Sequence, residues 1–173
     1  MEWFAAAHPI AVSTASNNVD VGATGITASL YNMIASGPNL TIVADKGREE
    51  KVYPSSSLVI RKALFDQGLT KLEDLHGKKI RIPQKGSTFP YLLGRVLEEK
   101  GMSIDDVEIM PLGKLGSIMA SLEGKQIDAA IINEPNPTKA EKAGYGKTIL
   151  PVGDVIEYQT SGIFYSPERN KNE

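Results

Sequence analysis

The 173-residue chain contains no cysteine, which excludes a disulfide framework, a thiolate nucleophile, an iron–sulfur cluster and any cysteine-based zinc site. Histidine is scarce as well, with only His8 and His76, and no H-E-x-x-H, D-x-D or G-x-S-x-G pattern accompanies them. Metal-assisted hydrolysis and a serine nucleophile elbow therefore lack their usual parts. Long apolar runs are missing: Ser57–Ile60 and the stretch 127–132 reach at most a third of the roughly 20 residues that cross a bilayer. The opening Met1-Glu-Trp-Phe-Ala-Ala-Ala-His-Pro9 starts acidic and breaks at proline, unlike the basic start and unbroken apolar run of a secretory signal. An excess of one charge is also absent. Nineteen Lys and Arg against 21 Asp and Glu leave a formal charge of −2, too little for the basic footprint of a nucleic-acid partner or a polybasic membrane anchor.

What is present is the composition of an ordinary globular protein, 41% hydrophobic and 23% charged with 16 glycines and 10 prolines, long enough to bury a core without metal or disulfide. Short apolar, β-branched runs predict strands at Val19–Val21, Thr41–Ala44, Leu58–Arg61, Lys79–Ile82, Val107–Met110, Ile127–Ile132 and Thr148–Val152. A further strand is expected at Trp3–Ala5, with a helix starting at Pro9. Helices are predicted over 26–36, ending at Ser36-Gly37-Pro38, over 88–100, with Tyr91, Leu92, Leu93, Val96 and Leu97 on one face, over 115–123 and over 137–143. Strand and helix in alternation imply an α/β protein with a mainly parallel sheet. The stretch Asn17-Asn-Val-Asp-Val-Gly22 is echoed by Gly124-Lys-Gln-Ile-Asp-Ala-Ala130, each a turn, an apolar residue, an aspartate and a small-residue strand after a helix. The echo suggests two lobes of similar design. Tyr53-Pro-Ser-Ser-Ser57 reads as the segment crossing between them, and the return crossing is expected near residues 157–166.

Gly146-Lys147-Thr148 has the ending of a phosphate-binding loop, but Glu141 stands where that motif needs glycine, so a turn before a strand is expected. More informative is Pro83-Gln84-Lys85-Gly86-Ser87-Thr88, between a strand and a helix. There unsatisfied backbone N–H groups and the positive end of the helix dipole can hold an anion, with two hydroxyls beside them. Gly86, Ser87, Thr88 and Phe89 are candidate ligand contacts, and a purely capping role for Ser87 or Thr88 is compatible with binding. Val21-Gly22-Ala23-Thr24-Gly25 repeats the geometry, its glycines allowing a ligand close to the backbone at Thr24 and Gly25. If both turns lie at the carboxyl ends of their sheets, they can face each other across a cleft. Asn133 and Glu134 end another strand at such an edge. Lys46 can supply positive charge from what otherwise reads as a solvated charged turn, Lys46–Lys51, and Phe4 and His8 are placed on the border of the same cleft.

The runs Val19-Asp-Val-Gly-Ala-Thr-Gly25, Asp74-Leu-His-Gly-Lys-Lys-Ile-Arg-Ile-Pro83, Gly86-Ser-Thr88, Leu97-Glu-Glu-Lys-Gly101, Ile127-Asp-Ala-Ala130 and Asn133-Glu-Pro135 together resemble the substrate-binding proteins of nitrate-, sulfonate- and taurine-type ABC transporters. The resemblance implies a two-lobed type II periplasmic-binding-protein fold that captures a small, anionic ligand in an interlobe cleft and delivers it to a membrane permease, without catalysis or cofactor. Such proteins are periplasmic or lipid-anchored outside the cell and carry a signal peptide, a first strand and a helix ahead of the segment that begins here. The chain is therefore expected to be an internal fragment, with 1–57 a partial first lobe, 58–160 the second lobe with its crossing strands, and 161–173 a return segment and polar tail. Relatives of the same fold that are enzymes of thiamine-pyrimidine or menaquinone synthesis, or ligand-sensing domains, are the alternative.

Overall fold

A computed structural model describes residues 2–4, 7–37, 39–82, 87–111 and 115–171. The chain divides into two compact units, one of Met1–Arg48, Gly86–Thr88 and Gln159–Glu173, the other of Glu49–Lys85 and Phe89–Tyr158.

In the second unit, β3 (Ser56–Arg61), β4 (Lys79–Ile82), β5 (Glu108–Pro111), β6 (Ala129–Asn133) and β7 (Gly146–Pro151) form one sheet in the order β5-β4-β6-β3-β7. β4 runs parallel to both β5 and β6, whereas β3 is antiparallel to β6 and β7. The sequence reads as near-continuous apolar strands because both faces are covered. Leu58, Ile60, Ile80, Ile82, Ala129 and Ile131 point into one core layer under α4 (Phe89–Glu98), which contributes Leu92, Leu93, Val96 and Leu97. Val59, Ala130 and Ile132 point the other way, toward Ile118 and Leu122 of α5 (Leu115–Glu123) and Ala140 of α6 (Asn136–Lys142). The period of two assigns each residue to its layer. Tyr91 does not join the buried face of α4. It is 47% exposed and its ring lies 5.0 Å from that of Tyr158, because at about 3.6 residues per turn position 91 lies on the opposite side of the helix from the middle of the face made by Leu92, Leu93, Val96 and Leu97. α3 (Lys62–Asp66) is a short helix directly after β3.

Two ionic contacts tie this sheet together. Asp128, just before β6, accepts from Arg61 Nη2 at 2.7 Å and from the Lys79 N–H at 3.0 Å. Burial pushes its carboxyl upward, but the Lys79 amide, Arg61 and Lys78 outweigh that, and its pKa is lowered. Glu141 of α6 accepts the Thr148 N–H at 2.7 Å and lies 3.4 Å from Lys147 Nζ. The Thr148 amide is the main reason its pKa is lowered. Gly146-Lys147-Thr148 is thus no phosphate loop, but neither is it the turn expected before a strand: it is the start of β7 itself, the turn lying at 143–145, and the Thr148 N–H is clamped by Glu141.

The first unit contains α1 (Ala7–Ala15), β1 (Val21–Gly25), α2 (Ala28–Ala35), β2 (Thr41–Glu49), β8 (Tyr158–Tyr165) and α7 (Pro167–Asn170), its three strands ordered β1-β8-β2. Its buried core is small: Ala11, Ile26, Leu30, Leu40 and Phe164. Residues 2–4 form no strand, and α1 begins at Ala7, ahead of Pro9. The charged run after Ala44 is not a turn. It continues β2 to Glu49 as an edge strand exposed along nearly its whole length, a position where charges are tolerated and discourage further pairing. Gly22 serves packing rather than ligand approach, since a Cβ there would come 2.2 Å from Thr14 Oγ1 of α1.

The sequence echo is also a structural one. After α1, Asn17 adopts φ 60°, and after α5, Lys125 adopts φ 61°. Each turn closes with the same pair of bonds, Asn18 N to Ser13 O with Asn17 N to Thr14 O, and Gln126 N to Ser121 O with Lys125 N to Leu122 O. This is the Schellman arrangement, using a non-glycine residue in the left-handed region.

Candidate functional site

The turn after β1 is built by its cap. Thr27 has extended backbone and its side chain accepts the Leu30 N–H at 3.2 Å, so α2 begins one residue beyond and the amides of Ala28 and Ser29 have no partner within the helix. Thr24 is buried in β1 opposite Gly162, and Gly25 ends the strand opposite Ser161. At Gly25 an added Cβ would meet nothing nearer than the Thr160 carbonyl at 3.6 Å, with Thr88 Cγ2 at 4.0 Å. Ser87 and Thr88 group with this first unit although the helix that follows them belongs to the second. Residues of two turns far apart in sequence, Gly25 and Thr88, thus come together. Gly86, with Pro83–Lys85, lies outside the described residues.

Phe4 and Lys46 line one groove of about 890 Å³ in the first unit, together with Val21, Gly22 and Ala23 of β1. His8 is exposed in the first turn of α1 and does not line that groove. Phe89, at the start of α4, packs against the larger core of the second unit. Asn133 closes β6, its Nδ2 donating to Ser56 Oγ at 3.0 Å. Glu134 is exposed, accepts from Thr138 Oγ1 at 2.8 Å and donates its N–H to the Ser55 carbonyl at 2.9 Å. Since β6 is parallel to β4, Asn133 stands at the same carboxyl edge from which the chain leaves Ile82 toward Ser87.

One member of this edge escapes the sequence. Glu49 is completely buried and receives the Ser55 and Ser56 amides and the Ser55 hydroxyl. A glutamate inside Lys46-Gly-Arg-Glu-Glu-Lys51 carries no mark that sets it apart from its neighbours; the only signal is the serine-rich stretch six residues on. Among the described residues no three His, Asp or Glu side chains gather into a metal site. His76 is a surface residue, 3.6 Å from Asp106.

Residues 13–173 match the family described as "NMT1/THI5 like". The periplasmic aliphatic sulphonate binding protein SsuA of Escherichia coli superposes with a TM-score of 0.81 at 21% identity, over 98% of this chain and 55% of that one. The alkanesulfonate-binding protein SsuA of Xanthomonas axonopodis pv. citri, bound to MOPS, gives 0.76 at 22% identity over the same shares. A Brucella abortus protein named as a candidate binding protein is 30% identical over 99 residues, which are 57% of this chain and 30% of that protein. The chain thus spans about half the length of the solved relatives and has their α/β periplasmic-binding-protein fold. No helix among the described residues is long and apolar enough to cross a membrane.

Proposed function

Because the chain belongs to the NMT1/THI5-like family, we propose that it is the ligand-binding part of a solute-binding protein that captures a small anion outside the cytoplasm, free in the periplasm or lipid-anchored, and hands it to an ABC transporter permease. The observation that carries this reading is the meeting of Gly25 with Thr88. A side-chain-free strand end, the uncommitted first-turn amides of α2 and the hydroxyls ahead of α4 offer N–H and O–H donors to an oxyanion, with no carboxylate among them. Asn133 and Glu134 contribute polar selectivity, Lys46 adds positive charge, and Phe4, His8, Ser87 and Phe89 complete the proposed contacts with Thr24 and Gly86.

Thermal denaturation with a panel of small ions tests the assignment. MOPS, ethanesulfonate, nitrate and small carboxylates are expected to include a ligand that raises the melting temperature, by an amount equivalent to about 2.7 kcal/mol at 100 times its dissociation constant. Stabilisation by neutral or cationic compounds alone overturns the anion assignment. Turnover of the stabilising compound overturns the carrier reading.

A further inference from the structure

Glu49 is a buried carboxylate without a counter-charge: among the described residues no Lys, Arg or His side chain lies within ion-pair distance of it. Burying such a group is costly unless its oxygens are filled by donors. Here they are filled from one short stretch of chain. Oε2 takes the backbone N–H groups of Ser55 at 2.9 Å and Ser56 at 3.2 Å, and Oε1 takes the Ser55 hydroxyl at 2.5 Å. The next peptide is held from outside. A Cβ on Gly153 would come 2.2 Å from the Glu50 carbonyl oxygen and 2.6 Å from its carbon, so only glycine lets the segment from Val152 to Asp154 press so closely. The loop 50–55 is thereby fixed at its root, while its tip, Val52 and Tyr53, stays 75% exposed at each residue.

The two serines do not end the chain of contacts. Ser56 pairs with Asn133 in the β3–β6 ladder, and its Oγ accepts Asn133 Nδ2 at 3.0 Å. The Ser55 carbonyl accepts the Glu134 N–H at 2.9 Å. Glu49 is therefore one residue removed from both members of the polar strand end. The bond to Ser56 commits one hydrogen of the Asn133 amide and sets the plane of that group. Its Oδ1 and second Nδ2 hydrogen have no partner among the described residues.

We propose that Glu49 is a positioning residue for ligand binding, orienting the Asn133 amide through the Ser55–Ser56 backbone and the Ser56 hydroxyl. This rests on the reading of Asn133 as a ligand contact. Only the carboxylate accepts from all three groups as charge-assisted bonds; a glutamine can keep the two amides on its oxygen, but it loses the charge and its NH2 must instead donate to Ser55 Oγ, reversing the third bond.

The test compares Glu49→Gln, Ser56→Ala and Asn133→Ala with the parent chain, using MOPS as the probe, by calorimetry well below each melting temperature. Two-dimensional NMR follows the Asn133 side-chain amide in the first two variants without ligand. Glu49→Gln is expected to shift and broaden the Asn133 amide resonances and to weaken MOPS binding about tenfold. The double variant Glu49→Gln/Asn133→Ala should bind no more weakly than Asn133→Ala, since both changes remove the same contact. A purely structural glutamate would lower the melting temperature and leave the affinity of the folded protein untouched. Unchanged Asn133 resonances, or losses of affinity that multiply in the double variant, overturn the proposal. An Asn133→Ala chain that binds MOPS like the parent overturns the reading of Asn133 and this proposal with it, whereas a weakened Asn133→Ala beside an unaffected Glu49→Gln overturns the role of Glu49 alone. Should Glu49→Gln fail to fold, Ser56→Ala, which removes only the acceptor hydroxyl, is expected to give the same resonance shift and loss of affinity, and its absence overturns the relay.

Discussion

Replacing Asp128 by asparagine removes one negative charge at the point where three strands of the second unit converge. The native carboxylate accepts from Arg61 Nη2 at 2.7 Å and from the Lys79 amide at 3.0 Å, and both partners of the ion pair are about four-fifths buried, with side-chain exposures of 18% and 22%. Arg61 is left without a carboxylate within ion-pair distance among the described residues, while its Nε already has no hydrogen-bond partner. A hydrogen bond to a charged group contributes about 1.5–3 kcal/mol, so Asp128→Asn should cost about 2 kcal/mol at neutral pH. With an m-value of roughly 2 kcal/mol/M, the urea midpoint of the second unit falls by about 1 M. The pH dependence has a definite sign. The folded pKa is lowered from the ordinary value of 3.8, so the contribution is full above about pH 4 and is lost as the pH falls through the folded value. The gap between parent and variant should therefore be constant from pH 6 to 8 and shrink in acid. A midpoint change worth less than about 0.5 kcal/mol at neutral pH, or a gap that widens rather than shrinks in acid, would refute this account of the Arg61–Asp128–Lys79 junction.

Gly22→Ala should lower the melting temperature, by the equivalent of about 1–3 kcal/mol, because its Cβ would meet Thr14 Oγ1 at 2.2 Å; Gly25→Ala, with its nearest neighbour at 3.6 Å, should leave the melting temperature in place and weaken anion binding, and the reverse pattern would exchange the two roles. Glu141→Gln should cost about 0.5 kcal/mol at neutral pH, discounted for an exposed pair; since its pKa is lowered from 4.5, that difference should fade as the pH drops below about 4.5, measured by thermal melts across the range. Hydrogen exchange should be slowest in β3 and β6, which are paired on both sides and covered on both faces, and fast in β2, an exposed edge; equal protection of β2 and β6 in a monomeric sample would contradict the difference in core size between the units.

The second unit was the more legible. Its strands carry uninterrupted apolar runs because two layers cover them, and Lys79–Ile82 forms the strand expected, while 115–123 forms the helix expected. The first unit hides its strands for the opposite reason. β2 is polar from Asp45 onward because an edge strand with two open faces needs no apolar pattern. β8, Tyr158–Tyr165, reads as a connecting segment because it contains Gln159, Thr160, Ser161 and Gly162, and Phe164 is its one large fully buried side chain. The turns at Thr24–Gly25 and Ser87–Thr88 were visible through their glycine and hydroxyl residues. Glu49 was not, since what buries it is the local path of the chain to Ser55 and Ser56.

The internal echo explains where the candidate contacts fall. In one copy the Asp20 carbonyl accepts the Ser166 N–H; in the other the Asp128 carbonyl accepts the Arg61 N–H, both at 2.9 Å. Counting along the antiparallel ladders from these matched bonds, Val21 opposite Tyr165 corresponds to Ala129 opposite Ile60, and Gly25 opposite Ser161 corresponds to Asn133 opposite Ser56. The two strand ends singled out for ligand binding are therefore the same position of one repeated helix–turn–strand–helix design, each facing a serine on its antiparallel neighbour. At that position the second unit places an amide that its serine holds, and the first places glycine, with no side chain. A duplicated backbone fixes where both ends lie, and the residue standing there decides what each offers: an oriented amide in one copy, and an open approach to the backbone in the other. Exchanging the two chemistries, Gly25→Asn with Asn133→Gly, should therefore preserve the fold and abolish recognition of the parent's ligand. Retention of affinity in that double variant would show that neither strand end discriminates.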